Sequence, residues 1–458
     1  MLRLLLAALL YSATFHYAYV VYVYPVFEYA HYNYIERMLP QILLTYLLAA
    51  APVVAYRSST APASFGAVLI FVICYVPAQL MLLFTLDRPF GELTLVQTSL
   101  AASMAILLWA SPLGGRYRAR VQSERHLSAT LRFLTVASMV LLVFYYHEHM
   151  RLVSFADVYD LRFETNELVK STLAGYMLSW LSYCFLPFYF ARGIIKKSWG
   201  DFGLGFLGSL LIYLATGSKA AILMPVVIYS LHRLIGSGKD FLLRLLIVMT
   251  VVVFLVIELL PDEGVLMWVK SILLIRVLGT SGWTISTYYD YFSTNGFTFY
   301  THIGPINVLT GAYPYGEYSL GQTIGLYYSG SSDANFNANF WASDGFAAMG
   351  VLGIPVVTAF MVGVFYAINR IASGYSPRFV VLWLAGFWLA LLNLPLTTAL
   401  LSGGGGLTLF LLWANRVRLS TRGKPSRFGD FPGGAAAPGA TPAKSFVDRP
   451  LVDCFQYK

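Results

Sequence analysis

Long apolar runs separated by short polar stretches set the pattern of this chain. Such runs lie near 4–25, 39–56, 64–86, 93–111, 129–147, 171–191, 202–216, 219–236, 241–259, 346–369, 378–394 and 399–415. An α-helix rises about 1.5 Å per residue, so about 20 apolar residues cross roughly 30 Å of hydrocarbon. The pattern predicts an all-α polytopic membrane protein with about twelve transmembrane helices. The first run continues to Tyr24 without a small-residue cleavage site, which predicts a retained first helix rather than a removed leader.

The same pattern divides the chain. Residues 1–259 hold the first nine spans, with an outer loop at 148–170. Residues 260–345 read as one long extracytoplasmic loop, and 346–415 hold the last three spans. Residues 416–458, rich in Gly, Ala and Pro, read as a flexible cytoplasmic tail without a core.

Composition narrows the class. Apolar residues make up 58% of the 458 residues and charged residues 12%. A soluble domain carries roughly 25% charge, so this chain lacks the means to cover a water-facing surface. A soluble enzyme and a nucleic-acid-binding protein are both excluded on that ground. The net charge of +9 matters through its placement. With the N-terminus cytoplasmic, Arg57, Arg116, Arg118, Arg120, Arg125, Arg192 and the basic run after Trp413 fall inside, as the positive-inside rule requires. Arg37, Arg88, Arg151, Arg162, Lys170, Lys219, Lys270 and Arg276 fall outside. Both termini are then cytoplasmic.

The outer cations are the first candidates for chemistry. Lys219 follows Gly217-Ser218 in a turn between two apolar runs, and Arg276 ends the apolar stretch Ile272-Leu273-Leu274-Ile275. Cations there snorkel to headgroups or meet an anion, and the start of a helix after Lys219 adds N–H donors that suit a phosphate. Arg151 and Arg162 lie in the charged 148–170 outer loop. In the long loop, Asp290 and His302 are the candidate bases. Asn335, Asn337 and Asn339 alternate with apolar residues, so they share one face suited to sugar hydroxyls. Tyr288 and Tyr289 offer flat rings with polar tips, which suit either sugar rings or the membrane interface. Ser343 or Asp344 is placed to cap the tenth helix. His147-Glu148-His149 has neither the spacing nor the further ligands for a metal, and the sequence calls for no cofactor.

Three features together carry a resemblance: Gly217-Ser218-Lys219, Arg276 followed by Tyr288-Tyr289-Asp290-Tyr291-Phe292, and the Asn-rich aromatic segment from Asn335 to Gly350. With the many-spanning architecture, the chain resembles the Wzy-type oligosaccharide repeat-unit (O-antigen) polymerases. The resemblance implies a GT-C-like fold in the bacterial inner membrane. It also implies polymerisation of undecaprenyl-pyrophosphate-linked glycans at the outer face, with membrane lipids, a flippase and a chain-length regulator as partners. On it, Arg276 and Lys219 would neutralise the departing pyrophosphate, with Arg151 and Arg162 assisting. Asp290 or His302 would take the hydroxyl proton, and Asn337 and Asn339 would orient sugars. An O-antigen ligase or other lipid-linked glycosyltransferase is the nearest alternative, and a polysaccharide flippase the non-enzymatic one.

Overall fold

The computed structural model describes residues 1–115, 120–121, 124–152, 172–236, 241–331, 336 and 340–417. Seven helices among them are long and apolar enough to cross a membrane: Leu2–Ala30, Pro62–Thr85, Phe90–Ala110, His126–Tyr146, Trp199–Thr216, Phe241–Leu259 and Trp341–Ala372. This is a multi-pass helical bundle. Without water to solvate the backbone, helices satisfy their own N–H and C=O groups, and nearly every described apolar run adopts that solution.

The remaining predicted spans are helical but shorter or interrupted, each for a local reason. The Lys219–Ile235 helix stops after 17 residues at Gly236. The run near 378–394 is split into Pro377–Trp383 and Ala385–Asn393. The final run is broken by Gly404, whose φ of 73° places it in the left-handed region before Gly405–Ala414 begins. Proline leaves another signature. Helices widen to π geometry at Tyr19–Val23, Ile70–Tyr75 and Leu181–Phe185, each ending two residues before Pro25, Pro77 or Pro187. A proline cannot donate to the carbonyl four residues back and collides with it, and the wider turn relieves both problems.

Polar residues bolt the bundle internally. Gln79 and Gln97 each donate from Nε2 to the other's backbone oxygen at 2.8 Å, joining adjacent helices through a fully buried pair. At the other side of the 260–263 turn, buried Lys270 donates to the Ile257 and Leu260 carbonyls and pairs with Asp262 at 2.7 Å. Lys270 is therefore a helix C-terminal cap rather than a free outer cation.

Two segments differ from the sequence expectation. The stretch 260–345 is not an extended loop. It holds Gly264–Ser271, a π-helical continuation Ile272–Gly279, then Thr280–Asn295 without a break, followed by Gly304–Thr310 and Leu320–Ser329. The Thr280–Asn295 helix packs along Val76–Thr85, where Gly282 lies against Met81 so closely that a Cβ would sit 2.6 Å from its sulfur. Its Ser, Thr and Tyr content keeps mean hydropathy low, which is why it read as loop.

The tenth apolar run also divides. Gly350, at φ 61°, ends Trp341–Met349, and Gly353–Ala372 supplies the full-length crossing. The shorter helix folds back antiparallel on the longer one: Trp341 Nε1 donates to Thr358 Oγ1 at 2.7 Å, and Gly345 lies on Gly353. The cap expected from Ser343 or Asp344 is not made. Phe340 stands at the N-cap position, and Ser343 and Asp344 are buried within the first turn.

A side chain at Gly353 would collide with the Gly345 carbonyl. Gly353→Ala is expected to destabilise the hairpin by about 1–3 kcal/mol. It should lower the thermal unfolding midpoint of the detergent-purified protein. Gly363→Ala, which meets open space, should leave it unchanged. Equal midpoints for both variants would contradict the packing.

Candidate functional site

The Thr280–Asn295 helix presents Trp283, Ser286, Thr287 and Asp290 at i, i+3, i+4 and i+7, one helical face, to a cavity of about 570 Å³. The 85–88 segment and the 31–35 segment supply the opposite walls. Both segments are fixed by backbone capping. Arg37 donates from Nε to the Leu83 carbonyl at 3.1 Å and from Nη2 to the Leu86 carbonyl at 2.5 Å, and Ile35 N–H donates to Phe84 O at 2.8 Å. The end of the Val76–Thr85 helix is thus closed by a guanidinium, and the next residues project Arg88 into the cavity.

Arg88 Nη2 meets Asp290 Oδ1 at 2.7 Å, and Tyr328 OH donates to Asp290 Oδ2 at 3.1 Å. Both carboxylate oxygens are therefore engaged. The Arg88 and Asp290 side chains remain 34% and 32% exposed, so the pair is open to a ligand and contributes little to stability. Burial, then the Asp290 carboxylate, holds the Tyr328 phenol well above the ordinary tyrosine range.

Arg276 does not line this cavity. It is exposed on the π-helical turn Ile272–Gly279 and acts electrostatically on Tyr32, countering the burial that raises that phenol. Tyr32 in turn stacks on Trp283 with ring centroids 6.0 Å apart. Tyr32 thus lies within the electrostatic reach of Arg276 and against the Trp283 ring of the cavity wall. Lys219 begins the Lys219–Ile235 helix elsewhere in the bundle, and its N-cap Ser218 makes no side-chain capping bond. Arg151 N–H donates to Leu214 O at 3.2 Å, next to the Gly217 turn, so Arg151 and Lys219 gather at one corner. Neither Lys219 nor Arg276 lines the cavity, which corrects the expectation of one pocket formed by that pair.

A second cavity, of about 540 Å³, is walled by His302, Asp344, the start of the Leu320–Ser329 helix and the turn at Pro395–Thr398. His302 Nε2 lies 3.0 Å from Asp344 Oδ1, with side chains 7% and 3% exposed. Thr298 Oγ1 lies 2.7 Å from His302 Nδ1 and also donates toward Ala347 O at 3.2 Å. If the hydroxyl serves Ala347, Nδ1 carries a proton and donates to it. If the hydroxyl serves Nδ1, the ring proton sits on Nε2. Either way one proton must lie between Nε2 and the carboxylate, because two acceptors at this separation would repel.

The other sequence candidates fare differently. Tyr288 is fully buried, its OH directed at Phe336 O, and Tyr289 donates to Glu92 Oε2 at 3.2 Å while packing on Phe346. Both tie the helix to its neighbours and present no free ring to a sugar. Arg162, Asn335, Asn337 and Asn339 lie outside the described residues. Among the described residues no group of three His, Cys, Asp or Glu is placed to hold a metal ion. The sequence singled out neither Arg88, one cation among the eight outer ones, nor Tyr328 and Trp283. Arg88 had one visible signal, a cation held between two apolar runs by Asp87 and Pro89.

Tyr300 donates to Gly353 O at 3.0 Å, and burial followed by the Asp344 carboxylate pushes its phenol up to about 12. An ordinary tyrosine titrates near about 10. A folded-state value above the unfolded one means the neutral phenol's contribution is whole below pH about 10 and is lost as pH climbs toward the higher value. The unfolding midpoint should therefore fall more gently between pH 10 and 12 in Tyr300→Phe than in the parent, and identical slopes would refute the assignment.

No protein-family model, curated protein or solved structure matches this chain, so its function rests on the geometry above.

Proposed function

We propose that this chain is a lipid-pyrophosphate-dependent glycosyltransferase of the bacterial plasma membrane, polymerising undecaprenyl-linked oligosaccharide repeats at the outer face. In this reading the bundle crosses about twelve times, both termini are cytoplasmic, and the 260–345 segment lies at the outer side, its Thr280–Asn295 helix packed into the outer half of the bundle against Val76–Thr85. The observation that carries it is the cavity where Arg88, Asp290 and Tyr328 meet beside Trp283, whose stacking partner Tyr32 lies within the electrostatic reach of Arg276. An apolar bundle that keeps an open arginine–carboxylate pair in an aromatic-walled hollow is suited to an amphipathic anion with a sugar attached.

No nucleotide is required, because the donor's pyrophosphate linkage already stores the activation. An acceptor hydroxyl oxygen attacks the donor's anomeric carbon. The bond from that carbon to the diphosphate oxygen breaks, and the electron pair leaves with the lipid diphosphate. Arg88 and Arg276 are the cations assigned to that developing charge, an effect worth about 3–4 kcal/mol for a well-placed donor. When the diphosphate engages Arg88, Asp290 is released from its ion pair and can take the hydroxyl proton. Asp290 is preferred to His302 because it shares the Arg88 cavity, whereas His302 lines the other one. Lys219 and Arg151 stay at their own corner and are outside this assignment.

Purified protein in proteoliposomes, supplied with undecaprenyl-diphosphate-linked repeats, should give a ladder of glycan lengths. Arg88→Ala and Arg276→Ala should each slow ladder growth by roughly 10²–10³, and Asp290→Asn should also slow it. Cells lacking the protein should carry surface lipid capped with single repeats. Bare cores would instead favour a ligase. Full-length polymer from Arg88→Ala and Arg276→Ala at parental expression would overturn the reading.

A further inference from the structure

Two cavities of different wall chemistry lie at the two ends of one short helix. Gln322, near the start of Leu320–Ser329, borders the His302–Asp344 cavity, and Tyr328, near its end, borders the Arg88–Asp290 cavity. Six residues of helix separate them, about 9 Å. The Arg88 cavity holds a guanidinium beside the Asp87 and Asp290 carboxylates. Among the described residues lining the other there is no Lys or Arg, and its charged groups are Glu317, Asp344 and whatever proton His302 carries. Such a wall repels a phosphate. It offers instead amide and hydroxyl groups: Asn307, Gln322, Thr397 and Thr398.

Two further observations point to a ligand there. The first is a pair of atoms. His302 Nε2 and Asp344 Oδ1 meet on this wall at 3.0 Å with both side chains buried, a polar pair that gives a hydroxyl-bearing ligand a hydrogen-bonding edge. The second is a run of rings. Tyr313 on the cavity wall neighbours Tyr315 at 5.9 Å, Tyr315 neighbours Tyr291 at 5.7 Å, Tyr291 neighbours Tyr327 at 5.1 Å, and Tyr327 neighbours Tyr328 at 4.9 Å. All five rings are at least partly exposed. The run begins at one cavity and ends at the other, with flat apolar faces and polar tips along its length.

We infer that the His302–Asp344 cavity is a binding site for the uncharged part of an oligosaccharide, reached from the Arg88 cavity along the Tyr313–Tyr328 track. The diphosphate end is assigned to Arg88 in the first cavity and neutral sugar rings to the second. The inference rests on the proposed glycan transfer for the origin of the sugar, but the site itself is defined by its own wall chemistry.

The test uses the full-length detergent-purified protein and two probes. One is the mixture of oligosaccharides released by mild acid from the lipid-linked pool of cells that carry the gene. The other is inorganic pyrophosphate. Saturation-transfer NMR reads saccharide binding, and phosphorus NMR reads pyrophosphate. Gln322→Ala and Tyr327→Ala should each weaken saccharide binding by roughly tenfold, while pyrophosphate binding persists and certifies the fold. Arg88→Ala should weaken pyrophosphate and spare the saccharide. Saccharide binding unaffected by Gln322→Ala and Tyr327→Ala, or lost only in Arg88→Ala, overturns the inference. Pyrophosphate binding with no saccharide binding overturns it and leaves the glycosyltransfer reading standing. Failure of both probes in the parent protein overturns both.

Discussion

Close packing of a polar helix against an apolar one is the contact on which the site depends. Thr280–Asn295 is rich in Ser, Thr and Tyr and would not partition into hydrocarbon by itself, yet ten of its residues are buried. Gly282 and Ser281 make this possible. With almost no side chain at 282, the backbone meets Met81 directly, and Ser281 Oγ donates to the Cys74 carbonyl at 3.4 Å. Small residues allow the approach, and local hydroxyl bonds to the preceding turn, as from Ser286 to Gly282 and Thr284 to Thr280, remove the remaining polar demand. Once that helix is seated, its i, i+3, i+4, i+7 face can only look across at Arg88 and the 31–35 segment.

This explains how legible the molecule was in its sequence. Apolar runs were readable because a membrane helix must be apolar over most of its length, and little else imitates that pattern. The Thr280–Asn295 helix was not, since its burial depends on partners far away in the chain. Position 81 and position 282 cannot be paired by local periodicity. Asp344 was misread for a related reason. A short acid after an aromatic pair looks like an N-cap, and only the fold-back of Trp341–Met349 on Gly353–Ala372 turns it inward to His302. His302 and Asp290 were singled out from chemistry alone, His302 as the one histidine of the 260–345 stretch and Asp290 as an acid among tyrosines. Their partners Asp344, Arg88 and Tyr328 needed three dimensions.

The cations show the same division. Arg276 and Lys219 were linked in the sequence by similar surroundings, each a positive charge next to an apolar stretch. The structure separates them: Arg276 acts on Tyr32, which stacks on Trp283 of the first cavity's wall, and Lys219 begins a helix beside the Arg151 contact. Lys270, with the same local context, is spent on capping a helix. An outward-facing cation in a membrane protein can thus be a cap, an anchor or a ligand group. What distinguishes them is whether carbonyls, headgroups or an open cavity lie within reach.

Photo-crosslinking discriminates most directly between these positions. A polyprenyl diphosphate bearing a diazirine next to its phosphates should, on irradiation with the intact protein, label peptides containing residues 85–88 and 283–290. Labelling confined to the 214–219 corner, with none on either of those segments, would contradict the assignment of the diphosphate to Arg88 and Arg276.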